Sequence, residues 1–326
     1  MFLIDFEEKD RFQSLEWIKK NKIEIDNKLT LHGAILLKNI NVSSSTMFEE
    51  IVRIFAKKLY NKNGEHEAFN RSGTVQTPVS YPKDMNLEPH CENTFHFSFP
   101  SKIYFSCQIA ALEGGATTVY DTRKYFQLLP NKIKERFMEK KVMYVRCYID
   151  GFGLSYGKTL GVSTKKEAEN YCHLNALSYE WLGNILKTRA IRPAAISHPE
   201  SGEICFISQI NHWHQSRLEP EVRKSLRENY DVELMPRDLL YGDGSIIEDS
   251  IIQEMSEIYK QIEVSNKWQK GDFMLIDNIL SAHGRQKYTG EREILVSLSD
   301  PINFKSSLCL PNKPFEPVNS VGKITI

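Results

Sequence analysis

The stretch Pro89-His90-Cys91-Glu92-Asn93 holds the residues best suited to chemistry. On a strand or strand end side chains alternate between faces, so His90 and Glu92 point one way and Cys91 the other. An imidazole and a carboxylate two residues apart can share one octahedral metal. A third donor must come from elsewhere, and His283 in Ser281-Ala282-His283-Gly284-Arg285 is the candidate. Two His and one carboxylate on one face leave three metal positions open, the donor set of non-haem Fe(II) centres. Alone, a His-x-Glu is weak: with 9 His and 42 acidic residues in 326, roughly one His-x-Asp/Glu arises by chance. The second one here, His198-Pro199-Glu200, lies in a Pro/Ser/Gly-rich stretch between two apolar runs and reads as a hairpin turn. His212-Trp213-His214 is a period-2 His pair with no carboxylate at matching spacing, a lesser rival metal site whose side chains serve equally as pocket lining.

Other residues gain meaning from this company. Gly271-Asp272 followed by Phe273-Met274-Leu275-Ile276 and Asp277-Asn278 reads as a turn, a buried strand and a polar strand end. That places His283 at the mouth of a pocket; the bland reading is a His in a Ser-Ala-His-Gly loop, satisfied by water. Nine residues later Arg292 opens the last strand. Pointed inward, its planar fork of donors suits a carboxylate, although alone it reads as an exposed strand-end Arg. Thr117, after the Gly114-Gly115 turn, offers a hydroxyl to the same carboxylate or simply follows β propensity. Asn93, His96 and Arg146 are candidate substrate contacts, each with a bland reading of equal weight.

The elements that must position these residues are mostly short strands. Apolar runs at 33–37, 102–109, 117–121, 142–149, 194–196, 204–207, 273–276 and 294–298 read as strands, with helices expected near 10–20, 46–55, 130–138, 219–230 and 248–263 and a short one opening at 164–167. Thr46-Met47-Phe48-Glu49 has the form of a capping box with a stripe of Met47, Ile51, Ile54 and Phe55 behind it, and Thr164-Lys165-Lys166-Glu167 has the same form. Strands and helices do not alternate regularly, and no Gly-rich phosphate loop follows a first strand, which argues against a parallel α/β fold. The expected class is mainly β with helical decoration (α+β), with a double-stranded β-helix, or jelly-roll, core. One domain over 1–326 is expected, with helical insertions at about 150–265. Residues 76–88 and the Gly-rich 150–160 are candidate lids.

The chain has 42 basic and 42 acidic residues, which favours neither nucleic acid nor a membrane surface as partner. The cysteines Cys91, Cys107, Cys147, Cys172, Cys205 and Cys309 are scattered without a C-x-x-C and read as buried free thiols. With no signal-peptide pattern at the N-terminus and no membrane-length apolar run, a cytoplasmic setting is expected.

Taken in order, Ser80-Tyr81-Pro82, His90-Cys91-Glu92, Gly114 to Thr117, Ile191 to Ala194, His198 to Glu203, Gly271 to Asn278 and His283-Gly284-Arg285 to Arg292 resemble the taurine dioxygenase-like (TauD/TfdA) family of Fe(II)/2-oxoglutarate-dependent oxygenases. The likeness is greatest to the branch of syringomycin-type amino-acid hydroxylases, and it spans roughly residues 70–300 of the sequence. The resemblance implies that His90, Glu92 and His283 hold Fe(II), and that Thr117 and Arg292 bind the distal carboxylate of 2-oxoglutarate. It implies O2-dependent oxidation, by default hydroxylation, of a small amino-acid-like or natural-product substrate, free or tethered to a carrier protein. Much of the wider family has Asp where this chain has Glu92, and Asn-Gln where it has Ser208-Gln209. A carboxylate at Glu92, in place of Gly or Ala, argues against a halogenase. Two other readings are a non-oxidative metal enzyme on a cupin-like barrel, which gives Arg292 no special role, and a non-catalytic jelly-roll binding module. The oligomeric state is open.

Overall fold

A computed structural model describes residues 1–6, 11–60, 66–149, 155–229, 234–304 and the backbone of 323–325. An eight-stranded sheet runs in the order Lys323–Thr325, Phe2–Asp5, Ala34–Lys38, Phe273–Asp277, Ser98–Ile109, Glu293–Asn303, Gln76–Thr77, Glu67–Ala68. A four-stranded sheet runs Val264–Ser265, Thr117–Asp121, Ser281–Arg285, Leu87–His90. The period-2 alternation of each strand decides what lies on either side. In the large sheet Ile103, Phe105, Met274, Ile276, Ile294 and Val296 turn inward and meet Val119 of the small sheet. Their alternates Tyr104, Phe273, Leu275 and Leu295 pack outward on the helices Arg11–Lys20, Lys22–His32 and Ser45–Phe55. Behind the small sheet, Tyr120 and Ala282 join a third cluster with the helices Thr122–Leu128, Asn131–Lys140 and Asp249–Ile262. Fully burying such a side chain contributes about 1.5–3 kcal/mol, so both sheets are held firmly from both faces. This is a mainly β, α+β architecture with a jelly-roll core.

The segment from 150 to 265 is less helical than its sequence suggests. It carries the helices Lys165–Leu174, Pro220–Asn229 and Asp249–Ile262, but also the strands Ser178–Leu182, Ile185–Arg192 and Arg237–Tyr241, which join Val142–Tyr148 in a four-stranded sheet. The hairpin Ser178–Arg192 turns at Gly183-Asn184, with Gly183 at φ 64°; a two-residue Gly-Asn connection is itself a hairpin signal. Of the expected lid at 150–160, residues 150–154 lie outside the described set. Tyr156–Leu160 is a short helix capped by Ser155, and none of 155–160 lines the cavity described below.

Two local expectations change register. The helix over Ser45–Phe55 is capped by Ser44, whose Oγ accepts from the Met47 amide at 3.2 Å, rather than by Thr46. Four hydroxyl residues in a row offer several caps, and Ser44 is the one with extended backbone. Glu49 instead binds Arg53 and Asn70. The capping box at Thr164 and Glu167 forms as expected. Five cysteines, all but Cys309, are free and buried, and Cys309 lies outside the described residues. Among the described residues no helix is long and apolar enough to cross a membrane.

Candidate metal centre

His283 lies in a strand, not a loop. Ser281–Arg285 runs between Leu87–His90 and Thr117–Asp121, and its register sets His283 directly opposite His90. Such a pair brings side chains together, and the two imidazole centroids are 4.4 Å apart. The strands approach closely because Gly284 has no side chain: a Cβ there would lie 2.5 Å from the Leu87 carbonyl oxygen and 2.8 Å from Thr118 Oγ1. Glu92 follows its strand by two residues and is fixed through its main chain. Asn278, fully buried, accepts from the Glu92 amide at 2.6 Å and donates to the Glu92 carbonyl at 3.0 Å and the Pro100 carbonyl at 2.7 Å.

The donor atoms converge. His90 Nε2 lies 3.6 Å and His283 Nε2 3.8 Å from Glu92 Oε2. His90, Glu92 and His283 are the one group of three or more such donors, among the described residues, placed to share an ion. Metal–donor bonds of about 2.1 Å let two donors of one ion stand up to about 4.2 Å apart, so both separations fit a single small cation. The protonation states fit as well. His90 Nδ1 faces the Glu88 carbonyl at 2.9 Å, which leaves Nε2 for a metal. Burial pushes the Glu92 carboxyl up, but the hydrogen bond to His90 and the other histidines around it outweigh burial and hold it below the usual carboxylate range. Burial, then His90, bring His283 down to about 3, so its imidazole is neutral at physiological pH.

A cavity of about 670 Å³ opens over this group, a size suited to a small molecule. Thr117 and Arg292 line it. Thr117 Oγ1 accepts from Trp268 at 3.1 Å, which leaves its own proton to donate. Arg292 Nε donates to the Gly115 carbonyl at 2.9 Å. Its remaining nitrogens have no hydrogen-bond or ion partner among the described residues, and burial brings the guanidinium down to about 10, still charged at neutral pH. A buried cation without an acidic partner is costly unless an anion meets it.

Of the candidate substrate contacts, Asn93 and Arg146 line the cavity and His96 does not. Asn93 has a left-handed φ of 59°, and the turn it makes brings Phe95 into the wall and leaves His96 outside it. Arg237, which no sequence signal marks, lines the cavity beside Arg146: the two are register partners on neighbouring strands. The His212/His214 pair is no rival metal site. It lies on and beside the helix Ile210–Trp213, so the period-2 premise fails. His212 faces the cavity with its ring 5.3 Å from His90, whereas His214 Nδ1 accepts from the Ser216 amide and its Nε2 donates to the Ile247 carbonyl. His198 sits in the expected hairpin turn, bound to Ser201 and to Asp277. Sequence reasoning missed His66, which lines the cavity 3.7 Å from Glu92 Oε1; it lies in a polar stretch with no motif around it. Of the proposed lid at 76–88, Thr77 to Tyr81, Leu87 and Glu88 form part of the wall.

This geometry can be set beside known proteins. A dapdiamide synthesis protein, DdaC, of Enterobacter agglomerans is 33% identical over 281 residues, 85% of each chain. A clavaminate synthase-like protein of Arabidopsis thaliana is 26% identical over 297 residues, 86% of each. The fold matches that of AAD-2, solved with Mn(II) and N-oxalylglycine, at a TM-score of 0.51 and 11% identity over 86% of each chain. It likewise matches a taurine dioxygenase from Burkholderia xenovorans at 0.51 and 12% identity, over 88% of this chain and 83% of that one. The sequence profile of the taurine catabolism dioxygenase TauD, TfdA family matches residues 6–298, and the chain that carries this two-histidine, one-glutamate cluster between jelly-roll sheets belongs to that family.

Proposed function

We propose that this chain is an Fe(II)- and 2-oxoglutarate-dependent oxygenase that hydroxylates an unactivated C–H of a small amino-acid-like molecule. The observation that carries the reading is the shared cavity: three convergent donors on one side, and on its wall a charged Arg292 with no acidic partner among the described residues. His90, Glu92 and His283 would hold the iron. Thr117 and Arg292 hold the distal carboxylate of 2-oxoglutarate and so aim its keto-acid end at the metal. When bound, iron and 2-oxoglutarate supply the oxidation: 2-oxoglutarate, O2 and the substrate C–H give succinate, CO2 and the substrate alcohol.

The protein's part is to place the substrate and exclude water. Phe95, Phe105, Trp213 and Ile294 give the cavity its apolar wall. Arg146 and Arg237 stand side by side in it, each over an aromatic ring, Tyr148 at 5.0 Å and Trp213 at 5.2 Å. Two guanidinium groups on one wall of the cavity offer forks of donors that suit a substrate carboxylate. That supports an amino-acid-like substrate, and the relative of dapdiamide synthesis supports a biosynthetic role.

The test is anaerobic titration of Fe(II) into the apoprotein with and without 2-oxoglutarate, following the weak visible charge-transfer band. A band that saturates near one per chain supports the reading and opens a screen of free and carrier-bound amino acids. Iron binding without a band removes the oxygenase and brings forward a non-oxidative metal enzyme.

A further inference from the structure

We propose that the substrate is an anion whose nitrogen is held as an amide, not as a free ammonium, and that Asn93 is the residue that reads this amide. The proposal deepens the oxygenase reading and rests on it for the places of metal and cosubstrate.

The first observation is the charge of the wall. Arg146, Arg217, Arg237, Arg285 and Arg292 line the cavity, against Glu88, Glu92 and Glu293. Each of these carboxylates is turned elsewhere. Glu92 belongs to the donor cluster. Glu88 is paired with Arg217 at 2.6 Å. Glu293 lies between Arg292, which lines the cavity, and Ile294, which points inward, so strand alternation turns its side chain to the other face. Among the arginines, Arg285 is bound to the carbonyls of Tyr81, Pro82 and Met85, and Arg292 is assigned to 2-oxoglutarate. Arg146 and Arg237 then make the substrate's side of the cavity positive. A free ammonium there would meet two guanidinium groups and a divalent cation with no carboxylate to offset them, and burial strengthens the repulsion. An acylated nitrogen is neutral and keeps an N–H.

The second observation is Asn93 itself. The residue is 1% exposed and lines the cavity, and its Nδ2 is buried without a hydrogen-bond partner. Its main chain is occupied: with a left-handed φ of 59° it makes a turn in which the Asn93 carbonyl accepts from the His96 amide at 2.9 Å. The turn needs a residue that tolerates this φ, as Gly and Asp also do. It does not need a carboxamide. A buried donor left unmet is unfavourable until a ligand meets it. A carboxamide presents a donor and an acceptor side by side. The group that matches both is another amide, its C=O toward Nδ2 and its N–H toward Oδ1. The substrate's carboxylate then falls to Arg146 and Arg237.

The test is calorimetry on the full chain loaded with Mn(II) and 2-oxoglutarate. The probes are the common L-amino acids other than proline, each paired with its N-acetyl derivative and first screened by thermal melts. At least one N-acetyl derivative is expected to bind, and at least ~10-fold more tightly than its free partner, the effect of one or two buried hydrogen bonds. Asn93→Gly, which keeps the turn, loses that preference while Mn(II) affinity stays as in the wild type, because Asn278 holds the Glu92 main chain. Asn93→Asp, which keeps the shape and puts a charged acceptor where the donor was, shifts the preference toward the free amine. A wild type that binds no acetylated probe, or binds the free amino acids as well, overturns the proposal. So does a preference unchanged in Asn93→Gly, or one lost only together with Mn(II) affinity, since Asn93 would then act on the metal ligands alone. A wild type that prefers acetylated probes but gives no Fe(II)–2-oxoglutarate band removes the oxygenase reading and leaves the amide site standing. A band without the preference does the reverse.

Discussion

Burial and the neighbouring His90 push the His283 imidazole down to about 3, while its neighbours keep Glu92 ionised in spite of burial. The residues therefore reach neutral pH with lone pairs ready for a cation, which is what metal binding requires of them. Arg292 shows the same preparation for an anion. Its Nε is tied to the Gly115 carbonyl, and Gly115, at φ 70°, leaves room for the stem, since a Cβ there would lie 3.1 Å from Arg292 Cδ. This fixes the stem and leaves the fork for a carboxylate. Truncating one partner of such a desolvated pair costs about 2–5 kcal/mol. Arg292→Leu should therefore weaken 2-oxoglutarate binding to the Mn(II)-loaded protein by at least ~30-fold, measured by calorimetry, with Mn(II) affinity itself unchanged. Arg292→Lys should lie between, since an ammonium keeps the charge and loses the fork. Equal loss of metal affinity would show that Arg292 supports the donor cluster and not the cosubstrate.

At the scale of elements, what the sequence made legible follows its periodicity. The strands at 102–109, 273–276 and 294–298 are dense apolar runs buried on both faces, and they stand where expected. The strand carrying His283 was illegible because Ser-Ala-His-Gly-Arg has no apolar pattern; it exists through its two neighbours and the space left by Gly284. His66 and Arg237 were illegible because their meaning comes only from strand pairing. Gly284→Ala tests the strand. Its methyl must displace the Leu87 backbone, a misfit of about 1–3 kcal/mol, so both the urea midpoint and Mn(II) affinity should fall; an unchanged metal affinity would separate the strand from the site. The turn before that strand gives a pH signature. Asp277 accepts from the Ile279 and Leu280 amides and pairs with His198 at 3.1 Å. Burial raises its pKa, but His198 and the amides outweigh it and leave the carboxyl depressed. A depressed carboxyl stabilises the fold above its unfolded value of about 3.9, and that stability is lost as pH falls through the folded value. Asp277→Asn should be about 1–3 kcal/mol less stable at pH 7, and the difference in urea midpoint should shrink as pH drops below about 4. A gap independent of pH would mean that the charge contributes nothing.

For the whole molecule, the site joins parts that the chain order keeps far apart. His90, Thr117 and His283 come from the small sheet; Arg292 leads into Glu293–Asn303 of the large one; Asn278 carries Glu92 on the end of another large-sheet strand. A metal held by the first group, with a dicarboxylate reaching from it to Arg292, would cross-brace the two sheets at the open end of the jelly roll. A ligand that binds only the folded state stabilises it by RT ln(1 + [L]/Kd), about 2.7 kcal/mol at a hundredfold excess over Kd. In thermal melts of metal-free protein, Mn(II) alone should therefore raise Tm by a few degrees, and EDTA should reverse it. 2-Oxoglutarate should add a further rise only after the metal, because its keto-acid end has nothing to chelate without one, and the rise should vanish in Arg292→Leu. A rise with 2-oxoglutarate in EDTA equal to that with metal would mean that the dicarboxylate is held by arginines alone, and the bridge between the sheets would then be an ordinary anion site.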